Sequence, residues 1–479
     1  MRLFHFSFLL LILLFLLSCY VFSEVSLILL LVNLTLLLLV GVYRIALLIK
    51  YPVKKSSEAS LIDGSKISIH LQVNEEPIKV VYNAIRSICN QNYSNFELII
   101  LLNKSATPLK CTLIKFCQKY NQSIRVFSSY EKNSENFHRV ICNSIVSKDA
   151  HYILTLKARY VLQPNALSTA LKQIKEYSTH AVQFPIGYFN EAPYNLGIKE
   201  ELEHYYHYYS DNIDSSLNFM PADSIIILKK EVFEATNYQY STDISEVTRL
   251  EILFRENNYK IYHSPSVVGW EIIPEGLLNL NFYQKKWISA KLNIVQKLWK
   301  SKVLPLQVKL ISTIRLTVWL NFTALPIIAF LSSIFLPLHP EEIQPVIAMS
   351  IASFYLHFII QFVLFGISTK FNVIKQTKGF LANTNTILQG AFYWFYNFIL
   401  SKKETTAGVS FQHSRVYQIS IYLFLALLLC CCTLQFIYTP SLAFPSFILF
   451  VIVTTSHINS NREFRNVREN LTNSIYPIS

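Results

Sequence analysis

Glycine is scarce in this chain. Ten glycines in 479 residues is about 2%, against a usual ~7%, and none lies between Gly64 and Gly187. Loops that bring backbone amides close to a phosphate use glycine, because a Cβ would stand in the way. The composition therefore argues against a tight phosphate cradle. Cysteine supplies no framework either. Cys430, Cys431 and Cys432 lie inside an apolar run, and Cys89, Cys111, Cys117 and Cys142 lack metal-ligand spacing, which leaves reduced, buried thiols as the reading. Only 15% of the residues are charged, and no basic stripe interleaved with aromatics marks a nucleic-acid partner.

What the chain has in abundance is apolar sequence, 52% by composition. The runs Leu3–Phe22 and Val25–Ile49 are each long enough to cross a hydrocarbon core of ~30 Å as a helix. Leu316–Leu336, Val346–Phe365, Val416–Tyr438 and Leu442–Ser456 complete six expected spans, with Pro326 tolerable as a kink. The first run is too long, and too closely followed by the second, for a cleaved signal peptide.

Orientation follows from the basic residues. Lys50, Lys54 and Lys55 follow the second run, Lys370 to Arg415 fill the connector after the fourth, and Arg462, Arg465 and Arg468 follow the sixth. The opposite-side links are short and carry no cations. Both termini and the large polar domain are expected in the cytoplasm, with the bilayer as partner. The net charge of +13 then belongs to loops beside anionic lipid.

Between the second and third runs the sequence alternates. Lys66–Leu71, Glu97–Leu102 and Ile153–Leu156 read as short buried strands, while Ile78–Asn90 and Leu109–Tyr120 carry apolar residues at helical spacing. That alternation predicts a largely parallel sheet covered on both faces. The expected division is residues 1–49, an N-terminal transmembrane hairpin; 50–305, the α/β domain with an interface helix; 306–367, helices three and four; 368–415, an amphipathic interface connector; 416–458, helices five and six; and 459–479, a tail.

Several segments of the α/β stretch carry a family resemblance. Ser68–Tyr93 (SIHLQVNEEPIKVVYNAIRSICNQNY) resembles the opening of inverting, processive, cellulose-synthase-like family-two glycosyltransferases. Phe96–Asn103, Asn143, Ile153–Leu167, Thr242–Leu250 (TDISEVTRL), Asn257–Ser266 and Tyr283–Trp287 (YQKKW) resemble that family's later motifs in the same order. The resemblance implies an α/β GT-A-like cytoplasmic domain plus an all-α transmembrane bundle of about six helices. It also implies a link to polysaccharide synthesis.

The chemistry departs from the pattern. Transfer from a nucleotide sugar needs the leaving diphosphate neutralised, usually by a carboxylate-held divalent cation, and a carboxylate base at the acceptor hydroxyl. At the two DxD aspartate positions stand Lys157 and Arg159, which repel Mg²⁺ or Mn²⁺. No metal or other cofactor is expected. Leu102 stands at the uridine-contacting aspartate, and Lys286 replaces the arginine of QxxRW, losing its bidentate fork. Asp243 is the candidate base, and a lone aspartate at the start of a helix is also an ordinary capping residue. Lys157, Arg159, Gln284, Lys286, Trp287 and Asn143 are the candidate nucleotide-sugar or phosphate contacts. Glu200, Glu203, His204 and His207 have spacing for a metal or, among four tyrosines, for an aromatic helix face.

Three functions fit these residues. One is a catalytically degenerate partner or scaffold of an active synthase. Another is a metal-independent transferase in which Lys157 and Arg159 neutralise the diphosphate. The third is a membrane interaction protein unrelated to glycans.

Overall fold

A computed structural model describes residues 23–50, 64–73, 76–102, 109–128, 149–189, 225–235, 252–254, 256–264, 266–272, 291–292, 294–317, 325, 328–330, 332–368, 426 and 428–470. Its centre is a seven-stranded sheet of order β3-β2-β1-β4-β8-β6-β9. The strands are β1 (Lys66–Val73), β2 (Phe96–Leu102), β3 (Ser123–Ser128), β4 (Ala150–Lys157), β6 (Ala181–Phe184), β8 (Ile225–Lys229) and β9 (Ile261–His263). β1 is buried from Ile67 to Val73 without alternation, as a central strand covered on both faces must be. The sheet is mixed. β1 runs parallel to β2 and β4, whereas β8 runs antiparallel to β4 and β6.

Helix α2 (Ile78–Cys89) presents Val81, Ala84, Ile85 and Ile88 to the core, the i, i+3, i+4, i+7 spacing that puts all four on one face. It follows Pro77, which pre-sets the entry to the first turn, and ends at Asn90. These residues join Ile67, Ile69, Leu71, Leu98, Ile100, Leu154 and Leu156 in one apolar cluster. A second small sheet of order β5-β10-β7 stands beside the main one. It comprises β5 (Val161–Leu162), β7 (Gly187–Phe189) and β10 (Gly269–Ile272).

Outside the α/β part, α1 (Ser23–Lys50), α7 (Pro340–Ser368) and α8 (Pro440–Asn470) are long helices. Leu30, Phe330, Val346, Phe354, Leu428 and Leu449 share one apolar core. A Cβ on Gly41 would lie 2.8 Å from Ile360, so the small residue allows α1 and α7 to approach closely. Polar ties also cross this bundle: Gln435 Nε2 donates to Ser333 Oγ at 2.5 Å, and Tyr355 Oη donates to the Pro445 carbonyl at 2.7 Å. Among the described residues one helix, Pro340–Ile360, is long and apolar enough to cross a membrane. Glu24–Leu39, Leu428–Tyr438 and Pro440–Ile452 are shorter apolar helices. The first expected span and most of the amphipathic connector lie outside the described residues.

Candidate active site

After β1 the chain adds β2 and β3 on one side, then crosses to place β4 on the other. Outside the carboxyl ends of neighbouring strands whose connections diverge in this way, an open α/β sheet leaves a crevice. The β1–β4 boundary is that place. Lys157, the last residue of β4, is in register with Gln72 of β1.

Backbone bonds then shape the turn. Ala158 N donates to the Gln72 carbonyl at 2.8 Å, and Tyr160 N donates back to the Lys157 carbonyl at 3.0 Å. Beyond β5, the Gln163 and Pro164 carbonyls accept from Gln91 Nε2 at 2.6 Å and from Asn92 N at 2.8 Å. Gln91 Oε1 also accepts from Leu167 N at 3.2 Å, satisfying a first-turn amide of α4 (Ala166–Glu176). The NQNY element after α2 is thus the fastener of the turn that follows β4.

The turn is cationic. Lys157 Nζ and the Arg159 guanidinium carbon each lie 5.9 Å from the centroid of the Tyr160 ring, within cation–π reach. Tyr160 is itself buried. Arg159 Nε lies 2.5 Å from Glu271 Oε1 on β10, and the two side chains are only 18% and 7% exposed. The pairing of Val161 with Trp270 brings Arg159 and Glu271 together. Sequence reasoning missed Glu271. The signal was there, because a carboxylate inside the apolar strand GWEI must find a counter-charge.

Leu102, at the expected uridine-contacting position, is fully buried in the main apolar cluster. Among the described residues, no group of three or more His, Cys, Asp or Glu side chains is placed to hold a metal. The structure brings Lys157 and Arg159 to the same turn. Asp243, Asn143, Gln284, Lys286 and Trp287 lie outside the described residues, as do Glu200, Glu203, His204 and His207.

Comparison with known proteins adds to this geometry. Residues 73–236 match the model of glycosyl transferase family 2. No curated protein matches the chain. Among solved structures, the mannosyltransferase PcManGT from Pyrobaculum calidifontis, in complex with GDP-Man and Mn²⁺, is similar. It has 12% identity and a TM-score of 0.49, over 80% of this chain and all of that one. S. aureus TarS in complex with UDP is 10% identical with a TM-score of 0.37, over 86% of this chain and 93% of that one. Residues 73–236 therefore carry a glycosyltransferase-family-2-like α/β domain.

Proposed function

We propose that this protein is a membrane-embedded, catalytically degenerate relative of processive family-two glycosyltransferases that serves as partner or scaffold of an active polysaccharide synthase. One observation carries the reading: at the switch-point crevice the β4 turn presents Lys157 and Arg159, and the nearby carboxylate of Glu271 lies against Arg159. A divalent cation needs anionic oxygen ligands, whereas this turn offers two cations.

Membrane association draws support from the segment leading into α6 (Leu306–Thr317). Trp299, Val303, Leu306 and Leu310 are exposed there. From residue 276 to 340 the sequence has eight lysines and arginines and no Asp or Glu. Exposed apolar side chains among cations suit an anionic bilayer surface. In this reading α1, α7, α8 and the shorter apolar helices belong to the membrane bundle, and the α/β domain and both termini are cytoplasmic.

Purification from native membranes tests the partner role. A second family-two enzyme with intact aspartates should co-purify, and its polymer synthesis should fall when this chain is deleted. Unchanged synthesis in the deletion strain contradicts the reading.

The placement of both cations beside Tyr160 favours a second reading, a metal-independent transferase. Lys157 and Arg159 would stabilise the leaving diphosphate, with Asp243 as base and Lys286, Gln284, Trp287 and Asn143 as further contacts. It requires release of nucleoside diphosphate from a nucleotide sugar in EDTA, abolished by Lys157→Ala/Arg159→Ala. No release under those conditions excludes it.

A further inference from the structure

Glu271 stands where an anionic ligand of Arg159 would stand. A guanidinium donates to carboxylate and phosphate oxygens through the same planar fork, and Glu271 Oε1 is already 2.5 Å from Arg159 Nε. The carboxylate is held on a backbone laddered on both sides, Trp270 opposite Val161 of β5 and Glu271 opposite Tyr188 of β7. Both side chains are largely buried, where solvent screens little.

We infer that Glu271 is a built-in carboxylate ligand of Arg159 that closes the switch-point crevice to phosphate-bearing molecules. The inference rests on the reading of this crevice as a degenerate nucleotide-sugar site. A diphosphate approaching Lys157 and Arg159 meets the fixed negative charge of Glu271 and must displace it or bind against it. Among the described residues, one of the two cations that would attract phosphate is thereby opposed by a carboxylate. The turn keeps the Arg159 charge for its own architecture instead of offering it to a ligand. The residue that decides whether the crevice binds an anion is then Glu271, on a strand more than a hundred residues further along the chain.

The test is calorimetric titration of inorganic pyrophosphate and of UDP, in EDTA, into the full-length protein in lipid nanodiscs. Glu271→Gln removes the charge and keeps the shape, and is expected to bind pyrophosphate at least about tenfold tighter than wild type. Adding Arg159→Met to Glu271→Gln should abolish the gain. The inference is overturned if Glu271→Gln melts cooperatively yet binds no tighter, or if the double variant keeps the gain. Should Glu271→Gln fail to fold, Glu271→Asp withdraws the carboxylate by one methylene. A rise in affinity there supports the inference and no rise overturns it. Absence of binding by both wild type and Glu271→Gln contradicts this inference and leaves the degenerate reading standing. Tight binding of UDP by wild type overturns both.

Discussion

Gln91 and Gln163 meet across the edge of the α/β domain, the Gln91 side-chain amide donating to the Gln163 carbonyl at 2.6 Å. The same amide nitrogen donates to the Ser87 carbonyl at 3.0 Å, and its oxygen accepts from Leu167 N. One half-buried side chain therefore serves the end of α2, the strand-to-helix turn and the start of α4. Gln91→Ala leaves these groups without their partner and should destabilise the domain by about 1–3 kcal/mol. Urea unfolding followed by far-ultraviolet circular dichroism reads the loss. An unchanged midpoint would contradict the fastening role.

Gly269 begins β10, and a Cβ there would lie 2.5 Å from Ile225 Cδ1 and 3.3 Å from the Val161 carbonyl oxygen. Gly269→Ala should therefore cost about 1–3 kcal/mol, as overpacking does. Ile225→Val, which deletes the clashing methyl, should recover part of the loss. Additive destabilisation in the Gly269→Ala/Ile225→Val double variant would contradict the contact. Thermal melting of the four proteins decides between the two.

Two buried thiols give a pH-dependent prediction. Burial, with the neighbouring Cys117 thiol, pushes Cys89 up to about 12, and burial pushes Cys117 up to about 11. Their folded pKa values lie above the ordinary thiol value of about 8.5. The stabilising contribution is therefore complete below that value and is lost as pH rises toward the folded values. At pH 8 iodoacetamide should modify exposed Cys111 and spare Cys89 and Cys117 until the chain unfolds. Mass mapping after brief alkylation checks this, and rapid native labelling of Cys89 would contradict it.

The proposed membrane seating is tested at Trp299, which is exposed while its indole N–H donates to Thr313 Oγ1 at 2.9 Å. In nanodiscs containing brominated anionic lipid, the emission lost in Trp299→Phe relative to wild type should be the quenched component. Emission from Trp299 that only aqueous iodide quenches would place this surface in water.

The parts of the fold legible in sequence were those with one dominant cause. β1, β2 and β4 are buried along most of their length because both faces are covered, and α2 carries four core residues at helical spacing. β6 and β8 were harder, and β9 was legible only through the resemblance of Asn257–Ser266 to a family strand. All three are five residues or fewer, and β8 reverses direction between β4 and β6, a choice made by tertiary packing and not by local pattern. At the site, Lys157 and Arg159 were visible as departures from a motif. The partner that Glu271 needs was not, because its pairing with Arg159 depends on the ladder between β5 and β10, which no spacing in the chain encodes.

The most direct test of the central claim is the metal dependence of nucleotide-sugar binding by the full-length protein. With Lys157 and Arg159 at the β4 turn and Glu271 beside Arg159, affinity for UDP- or GDP-sugars should be the same in Mn²⁺ and in EDTA. It should be weak, with Kd at or above about 1 mM. A gain of about tenfold or more on adding Mn²⁺, reversed by EDTA, would contradict the account.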